Sequence, residues 1–154
     1  MSPRTSAGLL PVRLTGTGLE VFIGHLGGPF WARKDERAWS ILKGEYDASI
    51  EDPWAAAQRE WIEETGAPVP PGERHDLGTV TQSGGKQVRA YAILTQTDVV
   101  LVQSNTVTME WPPRSGRQVT FPEIDRAEWC TPAVAARRLV SAQAGFLHRL
   151  PMPR

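Results

Sequence analysis

The stretch from Asp52 to Gly66 constrains this chain more than any other, because it can only be a helix closed at both ends. Asp52 offers a side-chain acceptor to the first free amides, Pro53 suits the first helical position, and Gly66 suits the left-handed residue that stops a helix. Inside it Glu60, Glu63 and Glu64 fall at i, i+3 and i+4, a spacing that puts their side chains on one face a turn apart. Like charges so placed repel, and the last turn of a helix favours cations. A solvated helix end would carry Lys or Arg there. A divalent cation reverses both penalties, since it takes several hard oxygen ligands at once, and carboxylates with waters and phosphates are the usual Mg²⁺ set. Acidic runs are more often plain solvated faces, and spacing alone does not separate the two readings.

The surroundings do. Arg59-Glu60-Trp61-Ile62-Glu63-Glu64-Thr65-Gly66-Ala67 is unbroken, Glu51 stands eight positions before Arg59, and Trp39 to Gly44 reads as a short strand entering the loop. The stretch Gly44 to Ala67 resembles the Nudix box, Gly-x5-Glu-x7-Arg-Glu-U-x-Glu-Glu-x-Gly-U, where U is a bulky apolar residue. The departures are local. Gly44 lies seven residues before Glu51 rather than six, Leu42 takes the place of the usual proline, and Ala67 is small for its position. The resemblance implies a Nudix α/β/α sandwich, a mixed sheet between helices, over one domain of residues 1–154. It implies catalysis by Glu60, Glu63 and Glu64, with Arg59 positioning the acids and pairing with Glu51. It adds the Gly44 carbonyl to a metal site for Mg²⁺, for which Mn²⁺ can substitute. Trp39 onward and Trp111 to Trp129 resemble a bacterial subgroup of nucleoside triphosphate pyrophosphohydrolases. In MutT-like members an acid just before a strand tryptophan completes the metal site, and Glu123, ahead of Trp129, matches it.

The implied activity is Mg²⁺-dependent hydrolysis of a phosphoanhydride bond in a nucleoside diphosphate-linked substrate. A nucleoside triphosphate is the first expectation, and a dinucleoside polyphosphate or nucleotide sugar the alternative. A non-catalytic nucleotide-binding module ranks lower, because such modules lose box acids and this chain keeps them. An isomerase of the same fold needs a catalytic cysteine, and Cys130 lies beyond the box in an expected strand. Lys43, Arg33, Lys34 and Arg89 are the cations available to a polyphosphate, and Trp31, Trp111 and Tyr91 the aromatics available to a base. The resemblance admits a homodimer, which no residue pattern decides.

The rest of the chain sets boundaries. Lys plus Arg balances Asp plus Glu at 17 each, which argues against a general nucleic-acid binder and leaves a small anionic substrate open. Hydrophobic residues make up 40%, enough for one packed core. Met1 to Ser6 lacks the apolar core of a signal peptide, and no apolar run is long enough to span a membrane. With a single cysteine the expected compartment is the cytoplasm. His25, His75 and His148 have no ligand spacing.

Apolar runs predict a hairpin of Leu9–Leu14 and Leu19–Ile23, a glycine-rich loop from Gly24 to Lys34, and a strand over Ala38–Leu42. A second hairpin is expected from Leu77–Gln82 and Gln87–Thr95, with strands at Val99–Val102 and Ile124–Cys130. Ser104 to Gly116 reads as loop. A helix from Thr131-Pro132 to about Val140 and a short one over Phe146–Leu150 close the chain.

Overall fold

The computed structural model describes residues 5–102 and 104–151; Met1 to Arg4, part of the segment read for a targeting signal, lie outside the described residues. The first hairpin is longer than its apolar runs. Strand β1 covers Thr5–Thr15 and β2 Gly18–Leu26, paired antiparallel from Val12↔Val21 to the turn. Away from that turn the two strands part, and the segment after the glycine-rich loop enters between them. There β3 (Trp39–Ser40) pairs with β2, while β4 (Leu42–Glu45) pairs with β1.

The single strand expected over Ala38–Leu42 is therefore broken at Ile41, and Gln143 is the physical cause. This fully buried amide accepts from the Ile41 backbone N–H at 2.9 Å and donates to Ser40 Oγ and Gln82 Oε1, both at 3.0 Å. The chain passes from one neighbour to the other without leaving a buried amide unpaired.

On its other edge β1 runs parallel to β6 (Gln87–Leu94), which pairs antiparallel with β5 (Glu73–Thr81). Strand β9 (Ile124–Cys130) covers the far edge of β2. Among the described residues these make one mixed sheet of seven strands. Alternation along the strands divides its two faces. Ala7, Leu9, Phe22, Leu42 and Ile93 pack with Ala56, Ala57 and Trp61 of helix α1 (Pro53–Thr65). Leu10, Val12, Val21, Ile23 and Ala92 pack on the other face, with Ala135 of helix α2 (Pro132–Arg138) and with Leu139 and Phe146. The expected mixed sheet between helices is the observed architecture. No helix among the described residues is long and apolar enough to cross a membrane.

Helix α1 is closed as its ends require. Asp52 accepts from the amides of Trp54 and Ala55 at 3.0 and 3.2 Å, and Gly66, at φ 69°, donates to the Ile62 carbonyl at 2.8 Å.

Further expectations need correction. Val99–Val102 is not a strand: Val99 and Leu101 pack on the α1 side of the sheet, but the Val102 amide bonds the Thr65 carbonyl at 2.7 Å, serving the end of α1 instead of a ladder. Thr106–Glu110, within the stretch read as loop, is a strand, β7, and pairs with β8 (Gln118–Pro122) in a separate two-stranded sheet. Val107 and Met109 alternate with polar residues and pair with Phe121 and Val119, but all five residues of β7 are exposed and the apolar period is only two residues long, too short to set it apart from the loop around it. Helix α2 stops at Arg138 because the Val140 amide turns to the Trp39 carbonyl, and a 3₁₀ segment, Ser141–Arg149, follows in place of the short last helix.

Gln143→Ala is expected to leave the Ile41 N–H buried and unpaired, at a cost of about 1–3 kcal/mol. Urea unfolding followed by tryptophan fluorescence measures it, and an unshifted midpoint would show that the strand break does not depend on Gln143.

Candidate functional site

Packing of Ala56, Ala57 and Trp61 against the sheet turns one side of α1 inward, and carries Glu60 and Glu64 with it. They are 7% and 3% exposed, whereas Glu63, a residue round the helix, faces solvent. Arg59 braces the set. Its Nε and Nη2 donate to the two oxygens of Glu51 at 2.9 and 2.8 Å, in a bidentate pair. Its Nη1 donates to Glu60 Oε1 at 2.8 Å and lies 3.4 Å from Glu63. The extra residue between Gly44 and Glu51 thus leaves the Glu51–Arg59 contact intact. Within that loop, in the turn after β4, Asp47 accepts from the amide and hydroxyl of Ser49 at 2.9 and 2.6 Å.

Burial shapes the charges. The Glu60 carboxyl is held above its usual value chiefly by burial, with Arg59 opposing and Glu63 and Glu123 adding to it. Glu64 is pushed up to about 8, first by burial and then by the charge and hydrogen bond of Glu123 and by Glu60; Asn105, donating at 3.4 Å, offsets part. Glu123 reaches these acids from the β8–β9 junction, where its backbone is clamped in both directions: its N–H donates to Asn105 O at 2.7 Å, and its carbonyl accepts from Gly27 at 2.9 Å.

These residues line a cavity of about 390 Å³ with Lys43 and Gly44 of β4. Gly44 is there because nothing larger fits. A Cβ at that position would stand 1.9 Å from Glu60 Oε2. Lys43 is pushed down to about 8, by burial first and then by Lys86, against the pull of Glu123, Glu45 and Glu64. Sequence reasoning missed Ser6, Glu45, Lys86 and Asn105, which line the same cavity from other strands and a loop and carry no motif.

A second cavity, about 360 Å³, adjoins the first at Glu123, which lines both. Phe30 and Trp31 of the glycine-rich loop form one wall, with Met109, Trp111 and Phe121 from β7, its turn and β8. Trp111 and Trp31 are thus brought together around Phe30, ring centroids 6.5 and 4.8 Å away in edge-to-face contact. Lys34 caps Phe30, its Nζ 3.6 Å from the ring centroid. The other cations and aromatics singled out go elsewhere. Arg33 is exposed and lines neither cavity, Arg89 is paired with Asp76, and Tyr91 packs on Trp54. His25 is a core residue, hydrogen-bonded to Asp125 at 2.9 Å and to the Lys34 carbonyl at 2.7 Å. Cys130 is buried and its thiol is pushed up to about 11, far from a nucleophile.

The donor set suits a hard divalent cation. Several carboxylates crowd a partly buried cavity, two of them with raised pKa values, beside a backbone cradle that a Cβ would fill. Among the described residues no three such side chains already stand in ion-holding geometry; Arg59 bonds Glu60 and Asn105 bonds Glu64.

The raised Glu64 value has a thermodynamic consequence. Between its ordinary pKa of 4.5 and about 8 the folded chain holds a proton that the unfolded chain has released. Stability without divalent cation should therefore fall as pH rises through that window. Melting curves from pH 5 to 8 in chelator are expected to show the fall in the parent chain and to lose it in Glu64→Gln, and equal slopes in both would contradict this. Arg59→Ala, which strands Glu60 in a buried position and frees Glu51, should lower the melting temperature at every pH.

The chain matches the NUDIX domain family model over residues 12–150. No curated protein shows significant sequence similarity to it. Among solved structures it is similar to the NUDIX domain of Shewanella oneidensis NrtR complexed with ADP ribose, at 14% identity and a TM-score of 0.64, covering 97% of this chain and 86% of that one. It is similar to a C. elegans Ap4A hydrolase, at 18% and 0.58 over 95% and 93%, and to the Nudix hydrolase RenU of M. smegmatis, at 19% and 0.56 over 97% and 89%. At these identities the likeness is one of fold. The match to the family model spans nearly the whole chain, and with the Gly44–Ala67 stretch folded as loop and acid helix against a mixed sheet, the chain belongs to the NUDIX domain family.

Proposed function

We propose that this chain, a Nudix-type pyrophosphohydrolase, cuts a phosphoanhydride bond of a nucleoside diphosphate-linked substrate, first of all a nucleoside triphosphate, with Mg²⁺ held by Glu60, Glu63, Glu64 and Glu123. One observation carries the reading: an aromatic cavity and an acidic cavity meet at Glu123. A nucleotide presents the matching pair of features. Its base has a flat face, and stacking on aromatic side chains is worth about 1–3 kcal/mol. Its phosphate chain is anionic, and enters a carboxylate-lined cavity only with a cation.

When bound, the metal neutralises charge developing on the anhydride oxygens and lowers the pKa of water. The protein's own residues do the rest. Glu60 and Glu64 supply oxygens whose positions α1 fixes, and the Gly44 carbonyl is assigned to the same set. Arg59 bridges Glu60 and Glu63 and offsets their repulsion. A carboxylate of the set takes the proton of the attacking water. Trp31 and Trp111 form the stacking walls, and Lys43 faces the phosphates. The NUDIX domain complexed with ADP ribose and the Ap4A hydrolase among the similar structures support a nucleotide as the ligand class.

Glu60→Gln and Glu64→Gln are each expected to lower kcat by on the order of 10²-fold or more, about 3 kcal/mol of transition-state stabilisation. The assay is a panel of nucleoside triphosphates, dinucleoside polyphosphates and nucleotide sugars with Mg²⁺, reading released phosphate after phosphatase coupling. Undiminished Mg²⁺-dependent turnover in either variant would falsify the assignment. Glu123→Gln should raise the Mg²⁺ concentration for half-activity; an unchanged metal requirement removes Glu123 from the set.

A further inference from the structure

The acidic cavity has a second wall that the metal assignment does not use. Ser6 in β1, Lys43 in β4 and Lys86 just before β6 all line it. Ser6 is fully buried, and its hydroxyl has no hydrogen-bond partner. A buried hydroxyl left unpaired costs free energy that a ligand oxygen in the cavity would recover. Sheet register sets the three side by side. Ser6 stands opposite Glu45 on β4 and Val88 on β6, so it lies one strand from both lysine-bearing segments. Lys86 Nζ reaches across to Glu45 Oε1 at 3.4 Å, which holds it at the cavity rather than in solvent. Lys43 is near enough to Lys86 to feel its charge.

The wall also has a direction. Glu123 borders the aromatic cavity, whereas Ser6 and Lys86 line only the acidic one. A substrate with its base among Phe30, Trp31 and Trp111 therefore enters the acidic cavity at Glu123, and Ser6 and Lys86 lie beyond that shared residue. What arrives there is the end of the molecule remote from the base.

The geometry points to Ser6, Lys43 and Lys86 as the site for the terminal phosphate of the substrate, and so to a nucleotide whose phosphate chain ends free. This rests on the hydrolase reading above and sharpens it. A free terminal phosphate offers up to two charges and three oxygens to two ammonium groups and a hydroxyl. A nucleotide sugar would bring a neutral, bulky ring to the same point, leaving the Ser6 hydroxyl and both cations poorly matched. Discrimination between the two classes thus comes from this corner, since sites built for polar groups reject ligands that leave them unpaired.

The test uses the full chain, with Lys86→Met and Ser6→Ala checked for folding by their melting curves. With Mg²⁺ present, kcat/KM for a nucleoside triphosphate is expected to fall at least tenfold in Lys86→Met and severalfold in Ser6→Ala. For a nucleotide sugar with the same base it should change less than twofold. Equal losses on both substrates, or none on the triphosphate, overturn the proposal. Calorimetric binding of inorganic pyrophosphate with Mg²⁺ gives a second readout, independent of turnover. Affinity should drop about tenfold in Lys86→Met, and parental affinity in both variants overturns the corner even if the hydrolase reading stands. A parent chain that binds pyrophosphate through Lys86 but turns over no nucleotide would overturn the hydrolase reading and spare the corner as an anion site.

Discussion

One guanidinium holds the acidic end of α1 in order. Arg59 bonds Glu51 with two nitrogens and Glu60 with a third, and sits within reach of Glu63. Three carboxylates in the last two turns of a helix repel one another, and those nearest its end also meet the negative end of the helix dipole. Two of them are also buried, which raises the cost of charge further. The brace offsets that crowding and ties the helix to the loop before it. Glu51 lies in the turn that follows β4, so the same contact sets how β4, with Lys43 and Gly44, lies against the acid face. Exposed ion pairs contribute little as a rule, but a bidentate arginine pair joined to a buried carboxylate is of another kind.

The sheet supplies what the helix cannot. Because β1 and β2 part beyond Val12 and Val21, β4 can take the vacated edge of β1, and that places Gly44 under the Glu60 carboxylate. The gap is kept open by Gln143, whose amide satisfies Ile41 at the crossing from β3 to β4. Glu123 comes from the far side of the molecule, and its backbone is pinned by Gly27 and Asn105. A residue so fixed can be exposed and still keep its place beside Glu64. The two cavities meet where these supports converge.

The fold and half of the site could be read from the chain. The caps of α1, its acid face and the two main hairpins rest on local rules: a side chain bonding a nearby amide, a glycine at positive φ, a period of two or of 3.6. The Glu51–Arg59 contact is also present despite the extra loop residue, in a loop whose turn Asp47 and Ser49 stabilise. Where local rules failed, a long-range partner had intervened. Val99 to Val102 is an apolar run like a buried strand but serves the end of α1, and β7, whose apolar alternation is short and exposed, becomes a strand by pairing with β8.

The sequence by itself determined the capped helix, the three acids on one side of it, their arginine and the alternation that gives a sheet two apolar faces. All of these depend on residues a few positions apart, whose geometry the backbone dictates. Only the tertiary structure decided that Arg33 and Arg89 stand outside the cavities, and that Trp31 and Trp111 converge on Phe30. It alone brought Ser6 and Lys86 into the acidic cavity with Lys43. Those groupings join strands and loops distant in the chain through sheet register and packing, and no spacing along the sequence encodes which residues will meet across a sheet.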